Sequence, residues 1–237
     1  MRALITVVLL SSGLMTLTLG ASAEDLPREP LIADARAAQP YSRRGAVGLS
    51  FDLLPQRVVE AEAQQLPFAE GFFRLALPHA FSFEVRAGAV LLYNHLQMGA
   101  AWSLPVYRCA FFFGYRIGAW VGSARLQGYD ADGFGLTHTP SVGFSFSVGG
   151  SRVSLRAELH LNFPQHIRFG SRSVVVNVAP VSGPSFGVMV ETPVFRDDYV
   201  YYGITLNYAT YDALSWLSFT DIPERSLYPS LVAGYEF

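Results

Sequence analysis

The sequence predicts an all-β fold, a transmembrane antiparallel up-and-down β-barrel of about ten strands, with eight or twelve strands left open. Apolar and polar residues alternate along most of the chain, and alternate residues of a β-strand point to opposite faces. The predicted strands at 81–93, 107–124 and 151–163 contain thirteen or more residues. A membrane crossing needs about 9–11 residues, whereas strands of globular sheets usually contain about 5–6.

The apolar faces of six predicted strands carry no charged residue, which favours a barrel over a secreted β-sandwich. A sandwich also has one apolar face, but a charged side chain facing lipid costs about 2–4 kcal/mol at the bilayer midplane. Hydrophobic residues make up 51% of the chain and aromatic residues 14%. They are spread in alternation, as a membrane barrel requires. A soluble periplasmic β-protein is the alternative.

Residues 1–23 have the composition of a secretory signal peptide. Arg2 supplies the positive charge, a mostly apolar run follows, and small residues form a cleavage site that ends at Ala23. Serine and glycine interrupt the apolar run, which is short for a transmembrane anchor. We therefore predict cleavage after Ala23, a periplasmic leader at 24–44 and an outer-membrane barrel at 45–237.

Charge and cysteine content exclude several classes of protein. With 17 basic and 19 acidic residues, the chain lacks the basic stripe of a nucleic-acid-binding protein. Its single cysteine, Cys109, cannot form an internal disulfide, which excludes a disulfide-stapled secreted domain. Cys109 shares the parity of Phe111 and Phe113, so we interpret it as a small buried or lipid-facing residue. No pattern indicates a cofactor or a metal, and we expect a monomer.

Short and long connections alternate between the predicted strands. The strands cover 45–53, 70–77, 81–93, 96–104, 107–124, 141–148, 151–163, 185–192, 199–209 and 228–237. Turns are predicted at 78–79, 94–95, 105–106, 149–150 and 193–198, and loops at 55–65, 127–139, 164–180 and 211–227. Within the loops, a short helix fits 58–65 and a strand extension fits 174–176. An even strand number with short periplasmic turns and longer surface loops is typical of single-chain bacterial barrels, and only the turn at 94–95 departs from it.

The hairpin at 141–163 provides an internal check of strand register. A two-residue loop at Gly149 and Gly150 pairs Val148 with Ser151. Counting outward gives Ser147–Arg152, Ser145–Ser154, Gly143–Arg156 and Ser141–Glu158. The polar faces of the two strands coincide in this register, and large charged side chains lie opposite small ones. The agreement indicates a narrow tube with a polar interior.

At the carboxyl terminus, Leu231, Ala233, Tyr235 and Phe237 alternate with small or polar residues, and the chain ends on an aromatic-x-Phe pattern. This strand resembles the closing strand of bacterial outer-membrane β-barrels, where the pattern is read by the barrel assembly machinery. The resemblance implies that Tyr235 and Phe237 form an assembly signal. It also implies location in the outer membrane of a Gram-negative bacterium, with outer-membrane lipids and lipopolysaccharide as partners.

Aromatic residues near the predicted strand ends fit the girdles that barrels place at the two membrane interfaces. They are Tyr93, Trp102, Tyr107, Tyr199, Tyr208, Tyr228, Tyr235 and Phe237.

Charged and polar residues at the inward positions of the strands form the candidate site. They are Arg74, Glu84, Arg86, Arg116, Arg152, Arg156, Glu158, His160, Asn162 and Glu191, with Asp52 and Glu236 at similar parity. Inward side chains fill the narrow lumen of a small barrel, and buried charges must pair. We therefore predict a barrel of structural or interaction type, or a narrow porin-like pore whose arginines set charge selectivity, with a charged and largely filled lumen.

His160 raises an enzymatic alternative, a lipid-acting hydrolase. Outer-membrane lipid A deacylases and phospholipases use a serine activated by a histidine. Glu158 and Asn162 share the face of His160, and the hairpin register places Thr139 and Ser141 near it. The His-x-Ser pattern of the deacylases is absent, since position 162 is Asn. A hydrolase requires a hydroxyl bonded to His160 at the lipid or the rim, whereas a structural role requires His160 to pair with Glu158 or an arginine network.

Two loops carry further candidates. Asp130, Asp132 and His138 include residue types used by omptin-type proteases and by weak calcium sites, but neither pattern is complete, so we interpret them as a solvated turn. Basic residues that suit lipopolysaccharide phosphates, or ordinary solvation, are His166, Arg168, Arg172 and Arg225.

Overall fold

The computed structural model describes residues 40–54, 65–90, 93–107, 109–126, 129–176, 180–195, 198–209 and 225–237. Its strands are β1 (Arg43–Leu53), β2 (Gln65–Ala76), β3 (Phe81–Val90), β4 (Tyr93–Val106), β5 (Cys109–Leu126), β6 (Tyr129–Val148), β7 (Ser151–Asn162), β8 (Gln165–Phe169), β9 (Arg172–Val176), β10 (Val181–Phe195), β11 (Asp198–Ala209) and β12 (Ser226–Glu236). A 3-10 turn, Pro78–Ala80, joins β2 to β3. No helix in these ranges is long and apolar enough to span a membrane.

Four predictions fall wholly or mostly outside the described residues. They are the signal peptide at 1–23, most of the leader at 24–44, most of the loop at 55–65 with its short helix, and most of the loop at 211–227.

Ten strands close into one antiparallel barrel in the order β1-β2-β3-β4-β5-β6-β7-β10-β11-β12, and β12 pairs with β1. The predicted fold class, an up-and-down barrel of the outer-membrane type, is confirmed, with ten strands in the ring. The seam reaches the last residue of the chain. The N–H of Phe237 donates to the Gly45 carbonyl at 2.9 Å, and the N–H of Gly45 donates to the Phe237 carbonyl at 3.1 Å.

The predicted register of the β6–β7 hairpin is confirmed. Val148 pairs with Ser151 across the turn at Gly149 and Gly150. Gly149 has a φ of 55° and Gly150 a φ of 92°, the left-handed region that two-residue hairpin turns require. The other predicted pairs, Ser147–Arg152, Ser145–Ser154, Gly143–Arg156 and Ser141–Glu158, are all present.

The loop predicted at 127–139 is wrong, because β6 begins at Tyr129 and pairs with β5 along its length. The prediction failed because this segment contains aspartate and glycine, which are depleted in strands. The alternation nevertheless continues, with Phe134 and Leu136 on the outer face. Beyond the end of β7, β8 continues along β6 and β9 pairs with β8, so the strand predicted at 174–176 is present. We call the part of the sheet formed by β8, β9 and the paired ends of β5 and β6 the extension.

The turn predicted at 94–95 is also wrong. Tyr93 and His95 belong to β4, where Tyr93 pairs with Val90 and His95 pairs with Gly88. The alternation of His95 and Gln97 with outward Leu96 continues through the predicted turn. Tyr93 therefore points into the lumen rather than toward the outside.

The outer face of the barrel is apolar, as predicted. Large apolar side chains such as Leu49, Met98 and Ile117 are about half exposed there. Of the predicted girdle residues, those exposed are Trp102, Tyr107, Tyr208, Tyr235 and Phe237. The prediction is wrong for Tyr93, Tyr199 and Tyr228, whose strand parity turns them into the lumen.

Candidate functional site in the barrel lumen

The end of the lumen beside the Gly149–Gly150 turn and the carboxyl terminus, here the short-turn end, is filled by packed side chains. Those buried there, each at most 7% exposed, are Arg44, Arg74, Arg152, Glu191, Glu236, Tyr199 and Tyr201. Arg152 and Glu191 are partners across β7 and β10, and Tyr199 lies opposite Glu236. The side chains at this end therefore place opposite charges together in a space that excludes solvent.

Five charged residues from β2, β3, β5 and β7 form the central network, which shares Arg74 with the short-turn end. The Nη2 group of Arg116 donates to Oε1 of Glu158 at 2.6 Å, and Nε of Arg156 lies 2.7 Å from the same oxygen. Oε2 of Glu84 lies 3.8 Å from Arg116 Nη1 and 3.6 Å from Arg156 Nη2. Arg74 Nε completes the network 4.0 Å from Glu84 Oε1. The structure thus brings together five residues that the sequence placed on inward faces.

A second ion pair joins β2 to β3. Nη2 of Arg86 lies 3.0 Å from both carboxylate oxygens of Glu70, and the Ser50 hydroxyl donates to Glu70 at 2.6 Å. The Arg86 guanidinium also lies 5.1 Å from the ring centroid of Phe72, a cation–π distance. Sequence reasoning missed Glu70 because the predicted strand began there, although it shares the parity of Arg74.

The charges of the described lumen balance. Its six arginines and six carboxylates are Arg44, Arg74, Arg86, Arg116, Arg152, Arg156, Asp52, Glu70, Glu84, Glu158, Glu191 and Glu236. Arg44 was missed because it was assigned to the leader, whereas β1 begins at Arg43. A balanced set is the expected arrangement for charges taken out of water, since an unpaired buried charge is costly.

Small residues make room for the large lumen side chains. A Cβ atom on Gly143 would lie 1.8 Å from the ring of Phe112, and the Arg156 guanidinium stacks 5.0 Å from the centroid of that ring. A Cβ atom on Gly135 would lie 2.3 Å from Nε1 of Trp120. The large-opposite-small pattern noted in the sequence therefore extends to aromatic side chains.

A cavity of about 300 Å³ lies in the lumen beside the central network, and it reaches from Glu191 and Tyr201 at the short-turn end to Asn207 toward the extension. An aromatic wall from β2, β4 and β5 consists of Phe68, Tyr93 and Trp120. The rings of Tyr93 and Trp120 stack with centroids 5.5 Å apart, and Phe68 meets Tyr93 edge-on at 6.3 Å. Polar side chains from β10, β11 and β12 line the cavity as well, among them Ser185, Thr205, Asn207 and Ser230. The cavity therefore has one aromatic and one polar side.

His160 lies in this cavity and is bonded to a hydroxyl that sequence reasoning missed. Its Nε2 atom is 3.0 Å from Oγ of Ser185 on β10, rather than bonded to Thr139 or Ser141. This contact depends on the pairing of β7 with β10, and β8 and β9 lie between these two strands in the sequence. The register of the pair therefore cannot be derived by counting residues from a short turn. Glu158 is held by two arginines, and the Ser185–His160 pair faces the lumen instead of the lipid. Asn162 also lines the cavity.

Asp132 and His138, two of the candidates from the predicted loop, lie far apart in the structure. Asp132 accepts hydrogen bonds from Arg168 and from Ser123, the latter at 3.1 Å. His138 lies six residues along β6, about 20 Å away at roughly 3.3 Å per residue, where it bonds the Tyr115 hydroxyl on the outer face. The arrangement of an omptin-type protease is therefore not formed. Among the described residues, no group of three His, Cys, Asp or Glu side chains is placed to hold a metal ion.

The basic candidates lie on the β8–β9 hairpin and at the residue before β12. Arg168 and Arg172 belong to the β8–β9 hairpin and are exposed, with Arg168 paired to Asp132. Arg225 donates from Nε to the Ser182 carbonyl and from Nη2 to the Val181 carbonyl, both at 3.0 Å.

No protein-family model and no curated protein matches the sequence. Among solved structures, the translocator domain of autotransporter NalP from Neisseria meningitidis is 7% identical with a TM-score of 0.44, over 82% of this chain and 87% of that one. CdiB from Acinetobacter baumannii is 12% identical with a TM-score of 0.35, over 71% of this chain. The chain spans 32% of the length of CdiB. Likenesses this low carry no functional argument, so the conclusions below rest on the barrel itself.

Proposed function

We propose that this protein is an outer-membrane β-barrel with a structural or interaction role, whose lumen is closed to ions. One observation carries the proposal: charged and aromatic side chains at most 7% exposed fill the short-turn end, and the central network adjoins them. An open pore would need a water-filled path through both layers. The apolar outer face supports the membrane location, because lipid requires an uncharged surface on a closed barrel.

In this proposal the signal peptide is removed after Ala23 and both termini lie in the periplasm. The short-turn end is then the periplasmic end, and the extension and the cavity face the cell surface. Tyr235 and Phe237 serve the assembly machinery. Exposed Arg172 and Arg168 on the β8–β9 hairpin are placed to contact lipopolysaccharide phosphates, which suit the guanidinium fork.

Two measurements test the proposal. The mature chain, refolded in detergent, should migrate differently on a gel before and after boiling, as a folded barrel does. Reconstituted in a planar bilayer, it should give no steady ionic conductance. A protein that stays soluble without detergent contradicts the membrane location, and a steady conductance contradicts the closed lumen.

A second candidate function, a hydrolase acting on an acyl ester, is favoured by the 3.0 Å contact between His160 and Ser185. In this chemistry Oγ of Ser185 bonds to the acyl carbonyl carbon, its proton moves to Nε2 of His160, and that proton then passes to the departing alcohol. Water afterwards releases the acyl group from Ser185. An active-site-directed fluorophosphonate should label the wild type and not Ser185→Ala. Absence of labelling in the folded wild type removes this candidate.

A further inference from the structure

We propose that the cavity binds a neutral, hydroxyl-rich ring, a hexopyranose unit of a saccharide. This inference rests on the interaction role proposed above and names the class of ligand for it. The cavity is a part of the described lumen that side chains leave unfilled, and its volume of about 300 Å³ lies at the lower limit of ligand pockets, roughly 300–1,000 Å³. A single sugar ring fits that volume.

The charge of the lumen argues for a neutral ligand. Six arginines face six carboxylates, and the charged groups that form the cavity floor are already engaged with one another. Glu70 holds Arg86 at 3.0 Å, and Glu158 holds Arg116 at 2.6 Å. At the end of the cavity toward the extension, the carboxylate of Asp52 accepts a hydrogen bond from Ser230 at 2.5 Å. An ionic ligand would have to break an existing pair or enter without a counter-charge, and both are costly.

Polar atoms of the cavity wall argue for a ligand rich in hydroxyl groups. Within the described structure, Oε1 of Gln97, Oγ of Ser154 and the hydroxyl of Tyr201 are buried, line the cavity and have no hydrogen-bond partner. Leaving such atoms unsatisfied costs about 1–3 kcal/mol each. Gln97 Oε1 can only accept a hydrogen bond, whereas the two hydroxyls can donate or accept. A sugar hydroxyl also does both, so it is a suitable partner for each of these atoms.

The two sides of the cavity suit the two kinds of surface on a pyranose. Tyr93 and Phe68 form an aromatic wall, and the C–H face of a pyranose packs on aromatic rings. By strand order, β4 and β5 lie across the ten-stranded ring from β11 and β12. Those strands contribute Asn207 and Ser230, which are hydrogen-bonded to each other at 2.8 Å. A ring placed between them presents its C–H face to one wall and its hydroxyl edge to the other.

The test uses the full mature barrel refolded in a zwitterionic detergent that contains no sugar. Saturation-transfer NMR measures binding of methyl glucoside, methyl galactoside and methyl mannoside, with inorganic phosphate and indole as charged and apolar comparators. At least one glycoside should bind with a millimolar Kd and more tightly than either comparator. Tyr93→Ala and Gln97→Ala should each weaken that binding about 10-fold. Leu96→Ala, an outward-facing change between the two, should alter it less than about 2-fold.

Each variant is first checked for the wild-type gel shift, so a loss of binding is not mistaken for misfolding. The inference is overturned if none of the three glycosides binds below about 50 mM, or if phosphate or indole binds more tightly. It is also overturned if Leu96→Ala weakens binding as much as Tyr93→Ala. Competition by a core oligosaccharide from lipopolysaccharide would identify a membrane saccharide as the source, and no competition would identify a free sugar. A closed barrel without glycoside binding refutes this inference alone, whereas ionic conductance refutes the closed lumen.

Discussion

Replacing Glu158 with glutamine should strongly destabilise the barrel, because this carboxylate is shared by two arginines. Its Oε1 atom accepts from Arg116 at 2.6 Å and lies 2.7 Å from Nε of Arg156. In Glu158→Gln the side chain keeps its size but loses its charge. Glu84 remains the nearest carboxylate of the central network, at 3.8 Å from Arg116 and 3.6 Å from Arg156.

The expected magnitude follows from the burial of the partners. The side chain of Arg116 is 4% exposed and that of Glu158 11% exposed, so water cannot replace the lost charge. Breaking a buried ion pair by removing one partner costs about 3–5 kcal/mol. With a urea dependence of about 2–3 kcal/mol per molar, the midpoint of unfolding should fall by roughly 1–2.5 M.

The assay is equilibrium unfolding of the barrel in lipid vesicles, followed by tryptophan fluorescence and by the gel shift. Arg172→Gln, which also removes one charge but at an exposed site, serves as the control and should change stability by less than about 0.5 kcal/mol. The double variant Glu158→Met with Arg116→Met should recover part of the loss, because replacing both partners avoids an uncompensated charge. Equal midpoints for Glu158→Gln and Arg172→Gln would refute the reasoning.

Three further predictions address packing, closure and assembly. Gly143→Ala should lower the free energy of unfolding in urea by about 1–3 kcal/mol, because its Cβ atom would lie 1.8 Å from an aromatic ring. Gly71→Ala, whose Cβ atom would have nothing within 4 Å, should be neutral or stabilising by up to about 1 kcal/mol. Equal effects of the two substitutions would contradict the packing. Tyr199→Ala should admit ions in planar-bilayer recordings while Tyr202→Ala on the opposite face of β11 does not, and a silent Tyr199→Ala would show that other residues suffice to close the lumen. Deleting Phe237 removes the last backbone bonds of the β1–β12 seam and should lower the refolded fraction on a gel several-fold, and an unchanged yield would argue against a role of this residue in closure.

Local alternation predicted the fold and much of the charged lumen. The β6–β7 register could be counted from the two-glycine turn because a one-residue slip exchanges the faces of a strand. That register correctly placed Arg156 opposite Gly143 and Glu158 opposite Ser141. Inward parity also brought Glu84 and Arg116, from separate strands, into the same set.

The errors arose where residue type misled or where pairing was not local. Asp130 and Gly133 read as loop residues but lie in β6, since pairing with β5 outweighs a weak strand preference. Tyr93 was predicted at the end of the strand before the predicted turn, but it is the first residue of β4. Its side chain therefore points into the lumen instead of outward. Ser185 could not be placed beside His160, because the β7–β10 pairing depends on the intervening β8–β9 hairpin.

The two ends of the lumen are lined by different kinds of side chain, and this difference bears on function. A barrel with an apolar exterior needs a polar interior, because otherwise both faces of each strand would be alike and register would be weakly specified. Paired charges such as Arg152 and Glu191 meet that need at the short-turn end. Toward the extension the wall changes to aromatic, amide and hydroxyl side chains, Tyr93 and Asn207 among them, around unfilled space. Neither register nor packing requires that change. A ligand bound between these walls would give the unfilled part of the described lumen a physical reason to exist.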